Sequence, residues 1–214
     1  MITIVPTSHI AKESLVKVKK ALENADCVCV ELDRLRYEGL KSGEKGSIES
    51  VGFDSLIIWL FKKLQEWLGS KTGILPGTEM LEAVEIAKER GLAVYLIDQD
   101  IRLTVERIRK MPGKEKLKLF GYLVSAPILM KFGRGEKIDL NKVPENELIR
   151  VAMEEFQKQF PYLYKILVEE RNQHMAQAIQ KIQDKHEKIV VVVGAGHEKG
   201  IKTLLNNIHY GSYS

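Results

Sequence analysis

The chain has 214 residues, of which 44% are hydrophobic and 29% charged, so it can build and cover a sizeable core. Its 33 basic and 29 acidic residues leave a net charge of +4. The basic excess is dispersed, without a basic block or interleaved aromatics, which excludes nucleic acid as the main partner. Frequent lysine and glutamate are compatible with a thermophilic protein. The length predicts a single domain over residues 1–214.

Nothing in the sequence predicts a secreted or membrane protein. The chain begins with an apolar strand and lacks the basic and apolar regions of a signal peptide. Its most apolar stretch, Leu119 to Met130, is shorter than the about 20 residues that span a bilayer, and Pro127 interrupts it. Cys27 and Cys29 are expected to be buried small side chains on opposite faces of a strand. We therefore expect a cytoplasmic protein with no transmembrane segment.

Short apolar runs predict four β-strands, with amphipathic helices between them. The strands are expected at Ile2–Val5, Cys27–Glu31, Ala93–Asp98 and Ile189–Val193. Continuous apolar strands of this kind are typical of a parallel sheet covered on both faces. Helices are expected at Ala11–Asn24, Phe53–Leu68 and Thr78–Arg90. The order of elements predicts an α/β fold, with a small, mostly parallel central sheet flanked by helices.

The segment between the third and fourth strands is too long for a single crossover connection. Helical patterns begin at Ile101, run through Leu119, begin again at Pro144 and extend from Pro161 to about His186. We interpret residues 101–186 as a large helical insertion before the last strand. The helix Phe53–Leu68 is nearly all apolar. It is either buried under this insertion or forms the surface of a homodimer.

Two histidines follow apolar strands in matching contexts near the two ends of the chain. His9 follows the first strand, and His197 follows Ile189–Val193 across a Gly-Ala-Gly turn. Ligands of open α/β sheets bind beyond the carboxyl ends of the strands. The pair therefore predicts one composite site. The alternative is that each histidine is a polar loop residue, and that the glycine turn only joins a strand to a helix or holds an anion at the N-terminus of that helix.

Carboxylates are expected to converge on the same edge of the sheet. They are Glu31 and Asp33 after the second strand, and Asp98 and Asp100 after the third. Crowded carboxylates require a cation or raised pKa values, so a divalent metal or a set of arginines is expected nearby. The available arginines are Arg36, Arg107 and Arg171. The alternative is structural: Asp33 and Asp100 are helix N-caps, and Arg36 and Arg107 pair with them to hold the helix ends.

These residues resemble the TraB family, which includes bacterial pheromone-shutdown proteins and the TIKI proteases of animals. The matching motifs run in the family's order over nearly the whole chain. They are Thr7-Ser8-His9-Ile10-Ala11, Val30-Glu31-Leu32-Asp33 with Arg36, Pro76-Gly77-Thr78-Glu79-Met80, Asp98-Gln99-Asp100 with Arg107, Glu170-Arg171-Asn172, and Gly194-Ala195-Gly196-His197. The resemblance implies a fold similar to the erythromycin esterases and ChaN-type proteins.

The resemblance also implies a metal-dependent protease built on the two histidines. His9, His197 and Glu79 would hold a divalent ion (Mn, Co or Zn), with Glu31 or Glu79 as the remaining ligand or general base. The arginines named above, with Asp98, Asp100 and Glu170, would form a charge network or orient the substrate. Three positions depart from the family pattern: Pro6 replaces a glycine, Gln99 an arginine, and Asn172 an aspartate.

Three hypotheses follow for the function. The first is a metal-dependent hydrolase acting on a peptide or another small polar substrate. The second is a non-catalytic protein that binds or sequesters a peptide or signal in the same pocket. The third is an interaction protein whose apolar helices, Phe53–Leu68 and Leu117–Phe132, dock on a membrane or partner.

Overall fold

The structure is a computed structural model that describes residues 1–7, 11–42, 78–132 and 145–211. The predicted helix Phe53–Leu68 and His9 lie outside these residues. Spatial contacts divide the chain into two compact units. The first comprises Met1–Leu103 with Arg171–Ser214, and the second comprises Thr104–Glu170.

Within the described residues, four parallel strands form one sheet in the first unit. They are β1 (Ile2–Thr7), β2 (Cys27–Val30), β3 (Ala93–Leu96) and β4 (Ile189–Gly194), in the spatial order β1-β4-β2-β3. β4 pairs with β1 from Ile2↔Ile189 to Thr7↔Gly194, and with β2 from Cys27↔Ile189 to Val30↔Val192. The last strand of the sequence is therefore central. This arrangement confirms the α/β fold with a small parallel sheet.

The first strand continues through Pro6 to Thr7, two residues beyond its predicted end at Val5. Proline lacks the N–H that a central strand needs, so within sheets it is confined to edge strands, strand starts and bulges. β1 is such an edge, and Pro6 pairs in register with Val193. The proline therefore fits the strand that leads toward His9.

Helices cover both faces of the sheet because alternate strand residues point to opposite sides. Val28, Val30, Val190 and Val192 pack with α1 (Ala11–Ala21), its 3₁₀ extension Leu22–Asn24, and α3 (Thr78–Glu89). Ile189, Val191 and Val193 pack on the other face, with α8 (Glu170–Gln183) and α9 (Ala195–Gly211). The helix after β2 is α2 (Arg34–Ser42). The central strands β2 and β4 are thus buried on both faces, as their apolar sequences require, while β3 is half-buried.

The two cysteines are buried, as expected, but the prediction that they occupy opposite faces is wrong. Cys27 and Cys29 are two residues apart on β2, so they line the same face. Both belong to the core cluster that includes Ile179 and Ile201. Both are free thiols.

The second unit is helical throughout its described part. It holds most of α4 (Ile101–Arg109), and also α5 (Gly113–Phe132), α6 (Glu145–Gln159), α7 (Pro161–Tyr164) and a π-helical segment, Lys165–Glu169. Aromatic rings pack edge to face: Tyr122 with Phe160 at 5.5 Å and Phe156 with Tyr164 at 5.7 Å between centroids. The long helix predicted from Pro161 is therefore present, with a π segment directly before Glu170 and Arg171. No helix among the described residues has the length and apolar content needed to cross a bilayer.

Candidate functional site

The candidate site lies at the carboxyl ends of β2, β3 and β4. Glu31 follows β2 directly, and Asp98 comes two residues after β3. α9 begins immediately after β4, so His197 lies in the first turn of that helix. β2 is the neighbour of both β3 and β4. The sheet order therefore sets Glu31 between the other two side chains, at the edge where ligands of such folds bind.

Glu31 ties the end of β4 to the end of β2. Its Oε2 accepts a hydrogen bond of 2.7 Å from the Gly194 backbone N–H, and its Oε1 accepts one from Arg171 Nη2. A Cβ on residue 194 would lie 3.4 Å from Oε2, so glycine gives the carboxylate room to approach the backbone. Glu31 is only 5% exposed. Its negative charge is therefore held inside the protein by an amide and a guanidinium.

Asp98 and Arg171 form the centre of the ion-pair network. Arg171 donates from Nε to Asp98 Oδ1 at 3.0 Å and from Nη2 to Oδ2 at 2.6 Å. Arg36 Nη1 donates to Oδ2 at 2.8 Å, and the Gln99 backbone N–H donates to Oδ1 at 2.9 Å. Arg171 is thus paired with one of the carboxylates that the sequence groups with the arginines. The Asp98 side chain is only 2% exposed, so these donors replace its lost hydration.

The charges of this network fix its protonation. Burial opposes ionisation of Asp98, but Arg171 and Arg36 lower its pKa below the ordinary value of 3.8. Burial also opposes the charge of Arg171, but Glu31 and Asp98 raise its pKa. Both groups are therefore charged near neutral pH, and the two carboxylates are balanced by two guanidinium groups.

His197 is held by partners on both of its ring nitrogens. Nδ1 lies 2.8 Å from Asn172 Oδ1, and Nε2 lies 3.2 Å from Arg171 Nη1 and 3.3 Å from Glu31 Oε1. Because a guanidinium only donates, we infer that Nε2 accepts and that the ring proton sits on Nδ1. Burial lowers the pKa of His197 below 6.5 and Arg171 adds to this, while Glu31 acts in the opposite direction. His197 is therefore a neutral imidazole with its lone pair at Nε2.

The remaining predicted side chains lie outside this network. Asp33 caps α2, as the structural alternative predicted, since its Oδ1 accepts from the backbone N–H groups of Leu35 and Arg36. Asp100 caps α4 by accepting from the backbone N–H of Arg102 at 2.9 Å, and it also pairs with the side chain of that arginine. Arg107 pairs with Glu170, and not with an aspartate as in the structural alternative.

Two of the three residues predicted as metal ligands are not placed at the centre. Glu79 is buried in the first turn of α3, with 6% exposure. His9 lies outside the described residues, two positions after β1, the strand that pairs with β4. The roles of Glu79 and His9 therefore stay predictions.

Sequence reasoning missed the partners that orient the site. Asn172 was identified only as a departure from the family pattern, yet it holds Nδ1 of His197. Its signal was its position next to Arg171, on a helix that packs beside β4. The glycine turn at Gly194 predicts a strand-to-helix connection or an anion site. It does not predict that the Gly194 N–H donates to Glu31. Every residue except proline has a backbone N–H, so residue type alone does not predict which amide donates to Glu31.

The described residues at this centre do not form a metal site. Within residues 1–7, 11–42, 78–132 and 145–211, no three His, Cys, Asp or Glu side chains are grouped so as to hold an ion. Glu31 and Asp98 are instead compensated by arginine, and both nitrogens of His197 are engaged. Of the two forms of compensation expected for crowded carboxylates, the described donor set fits the arginines.

Comparison with known proteins identifies relatives over nearly the whole chain. The family model described as TraB/PrgY/gumN matches residues 1–210. An uncharacterized protein of Methanocaldococcus jannaschii is 32% identical over 225 residues, which cover 99% of this chain and 55% of the relative. TraB domain-containing proteins of Mus musculus and Bos taurus are each 26% identical, over 93% of this chain and 61% of their own length. The chain therefore spans little more than half the length of these relatives.

Proposed function

The chain belongs to the TraB/PrgY/gumN family, and on this premise we propose that it hydrolyses peptides or related small polar substrates at the centre formed by His197, Glu31 and Arg171. One observation carries this proposal: the buried His197 has Asn172 Oδ1 at 2.8 Å from Nδ1 and Arg171 Nη1 at 3.2 Å from Nε2, from which we infer a neutral ring with its lone pair at Nε2. A neutral imidazole in a fixed tautomer is the common general base of hydrolytic enzymes.

Each neighbour of His197 has a part in this chemistry. Asn172 holds the Nδ1–H and so directs Nε2 toward the reaction centre, as the third member of a nucleophile–base set does. Nε2 would take a proton from an attacking water, in place of the hydrogen bond that it accepts from Arg171 Nη1, and would return this proton to the leaving amine as the C–N bond breaks. Arg171 would face the negative charge that develops on the carbonyl oxygen, and positive groups aimed at such charge contribute strongly to rate. Glu31 holds Arg171 in place through Nη2.

The resemblance implies a divalent ion at His9, His197 and Glu79, and no step of this mechanism passes through one. Metal content separates the two forms of the proposal. About one equivalent of Mn, Co or Zn in protein purified without chelators, lost in His9→Ala, would make the enzyme a metallohydrolase. Protein that is active and free of metal supports the arginine-compensated centre.

A second candidate function is binding without turnover. The observation that favours it is the mutual compensation of Glu31, Asp98, Arg36 and Arg171, whose side chains are 6%, 2%, 31% and 15% exposed. A site with its charges already paired has less to offer a transition state than one with an unpaired donor. Such a protein would sequester a peptide in the same place.

The test is a peptide-cleavage screen with and without Mn²⁺, Co²⁺ and Zn²⁺. His197→Gln is expected to lower the cleavage rate by about 10²- to 10⁴-fold, the usual contribution of a general base. His174→Gln is the matched control, because His174 is an exposed histidine on α8. Cleavage that survives in a folded His197→Gln protein would overturn the mechanism. Peptides that bind and are never cleaved would support the sequestering function.

A further inference from the structure

Asp33 carries a buried carboxylate oxygen that has no hydrogen-bond partner. Its Oδ1 is used by the cap of α2, where it accepts from Leu35 N at 2.9 Å and Arg36 N at 3.2 Å. Its Oδ2 is the one buried side-chain oxygen or nitrogen of the described residues that lacks a partner. The residue is only 5% exposed. Such an atom has lost its hydration without compensation, which costs free energy unless a ligand restores the bond.

Asp33 also lines a cleft of about 440 Å³. Its walls come from the first turn of α2 and from the segment between β3 and α4. They include Asp33, Leu35, Leu96, Asp98, Asp100 and Arg102. This volume lies within the range of small-molecule sites and suits a fragment the size of a short peptide end. All of these residues belong to the first compact unit.

The other acidic groups of the cleft already have cationic partners. Asp98 is bonded by Arg36 and Arg171, Asp100 by Arg102, and Glu38 by Arg34. Asp33 is left with two backbone amides on one oxygen, and burial raises its pKa above the ordinary value of 3.8. Arg36 and Arg102 act on Asp33 through space, but neither donates a hydrogen bond to its Oδ2. The group that completes it is a hydrogen-bond donor with positive charge.

A primary ammonium fits this requirement better than a metal ion. Hard divalent cations take about six to eight oxygen ligands, and the described residues offer no group of three that could hold one. An ammonium needs a single strong acceptor and forms a charge-assisted bond with a carboxylate. Its attached chain would lie along Leu35 and Leu96, the apolar part of the cleft.

We propose that this cleft is a substrate subsite in which Asp33 binds a primary ammonium group, so that the substrates of this centre are amine-bearing peptides. The subsite adjoins the reaction centre because Asp98 lines the cleft and also bonds Arg171. This inference treats the bound molecule as a substrate, and in that respect it rests on the proposed function. The ammonium comes from a peptide amino terminus or from a lysine side chain, which share this chemistry.

The test measures binding without turnover. Triglycine amide, which has a free amine and no carboxylate, is titrated into the full chain and followed by NMR, beside its N-acetylated form. Acetylation is expected to weaken binding at least tenfold, and Asp33→Asn is expected to do the same for the free amine. Asparagine caps helices as well as aspartate does, so this variant keeps the Oδ1 bonds. Asp26→Asn is the matched control, since Asp26 also accepts two backbone N–H groups, before β2 rather than after it.

A second pair of probes distinguishes the sources of the amine. Nα-acetyl-lysine methylamide is compared with Nα-acetyl-norleucine methylamide, which has a similar length and no charge. Preference for either amine-bearing probe over its neutral partner, lost in Asp33→Asn, supports the subsite. Equal binding of charged and neutral probes, no binding of any probe by wild-type protein, or Mn²⁺ binding that requires Asp33 overturns it. A failure of catalysis leaves these results unchanged, so the subsite and the hydrolase are tested separately.

Discussion

Arg171 is the residue through which the charged groups of the site are joined. Its three nitrogens reach Asp98, Glu31 and His197. The guanidinium fork allows this because its donors lie in one plane at fixed angles. A lysine ammonium carries all its donors on one nitrogen, so it would not match acceptors arranged around three separate nitrogens. The family motif residues that are far apart in the sequence therefore meet on one side chain.

Replacement of Arg171 tests how strongly the fold depends on this charge. Arg171→Ala is expected to lower the free energy of unfolding by about 3–5 kcal/mol, because it leaves Asp98 and Glu31 buried without their main counter-charge. Urea unfolding measures the change. Arg150→Ala is the control, since Arg150 pairs with Glu147 and Glu154 on an exposed helix, where ion pairs contribute little. Equal effects of the two replacements would contradict the buried network.

The sequence allowed part of this site to be predicted at the level of residues. Glu31, Asp98 and His197 could be brought together because the carboxyl ends of parallel strands meet at one edge. Charge alone could assign Arg171 to the carboxylates after the third strand, but could not choose between Asp98 and Asp100. The bond between Asn172 and His197 could not be predicted, because it depends on how α8 and α9 pack and on the side-chain rotamers at their contact.

At the scale of elements, the close packing of α8 and α9 depends on Gly200. A Cβ on this residue would lie 3.0 Å from Asn172 Cγ, which is closer than real Cβ contacts usually come. Gly200 therefore lets Asn172 occupy the space between the helices, where it holds Nδ1 of His197. The geometry of the imidazole depends in this way on the residue three positions further along α9.

Two glycine replacements separate this packing from helix propensity. Gly200→Ala is expected to destabilise the protein by about 1–3 kcal/mol, the usual cost of overpacking. Gly121→Ala adds the same methyl group to α5 with no atom within 4 Å, so it should stabilise by about 0.5–1 kcal/mol through helix propensity. Unfolding in urea provides both values. A stabilising Gly200→Ala would show that α8 and α9 are not in close contact there.

The strands were the best predicted elements, and their order in the sheet was beyond prediction. Apolar runs located all four strands to within about two residues. Their burial on both faces followed from the same runs. The insertion of β4 between β1 and β2 depends on pairing between residues nearly 190 positions apart, which no local pattern encodes. The fold class was therefore predictable where the topology was not.

At the scale of the whole molecule, the buried ionisable groups make stability depend on pH. The folded pKa of His197 is lowered below 6.5, so on acidification the unfolded chain binds this proton first. The stabilisation linked to neutral His197 is complete above about pH 6.5. It is lost as the pH falls from 6.5 toward the lowered folded pKa. The lowered pKa of Asp98 adds a second loss below its ordinary value of 3.8. The raised pKa of Asp33 acts in the opposite sense, since its contribution is present below 3.8 and is lost as the pH rises.

Between pH 6.5 and about pH 5, His197 should therefore be the main source of acid sensitivity among these three groups. Urea unfolding of wild-type protein is expected to give a free energy that falls with pH through this interval, and His197→Gln should flatten the fall. Asn172→Asp is the informative second variant, because a carboxylate at Nδ1 favours the protonated ring and raises the pKa of His197. It should make the fall smaller, and remove or reverse it if the folded pKa reaches or passes 6.5. If all three proteins lose stability along the same curve, the neutral state of His197 is not the cause, and its use as a base near neutral pH loses its physical support.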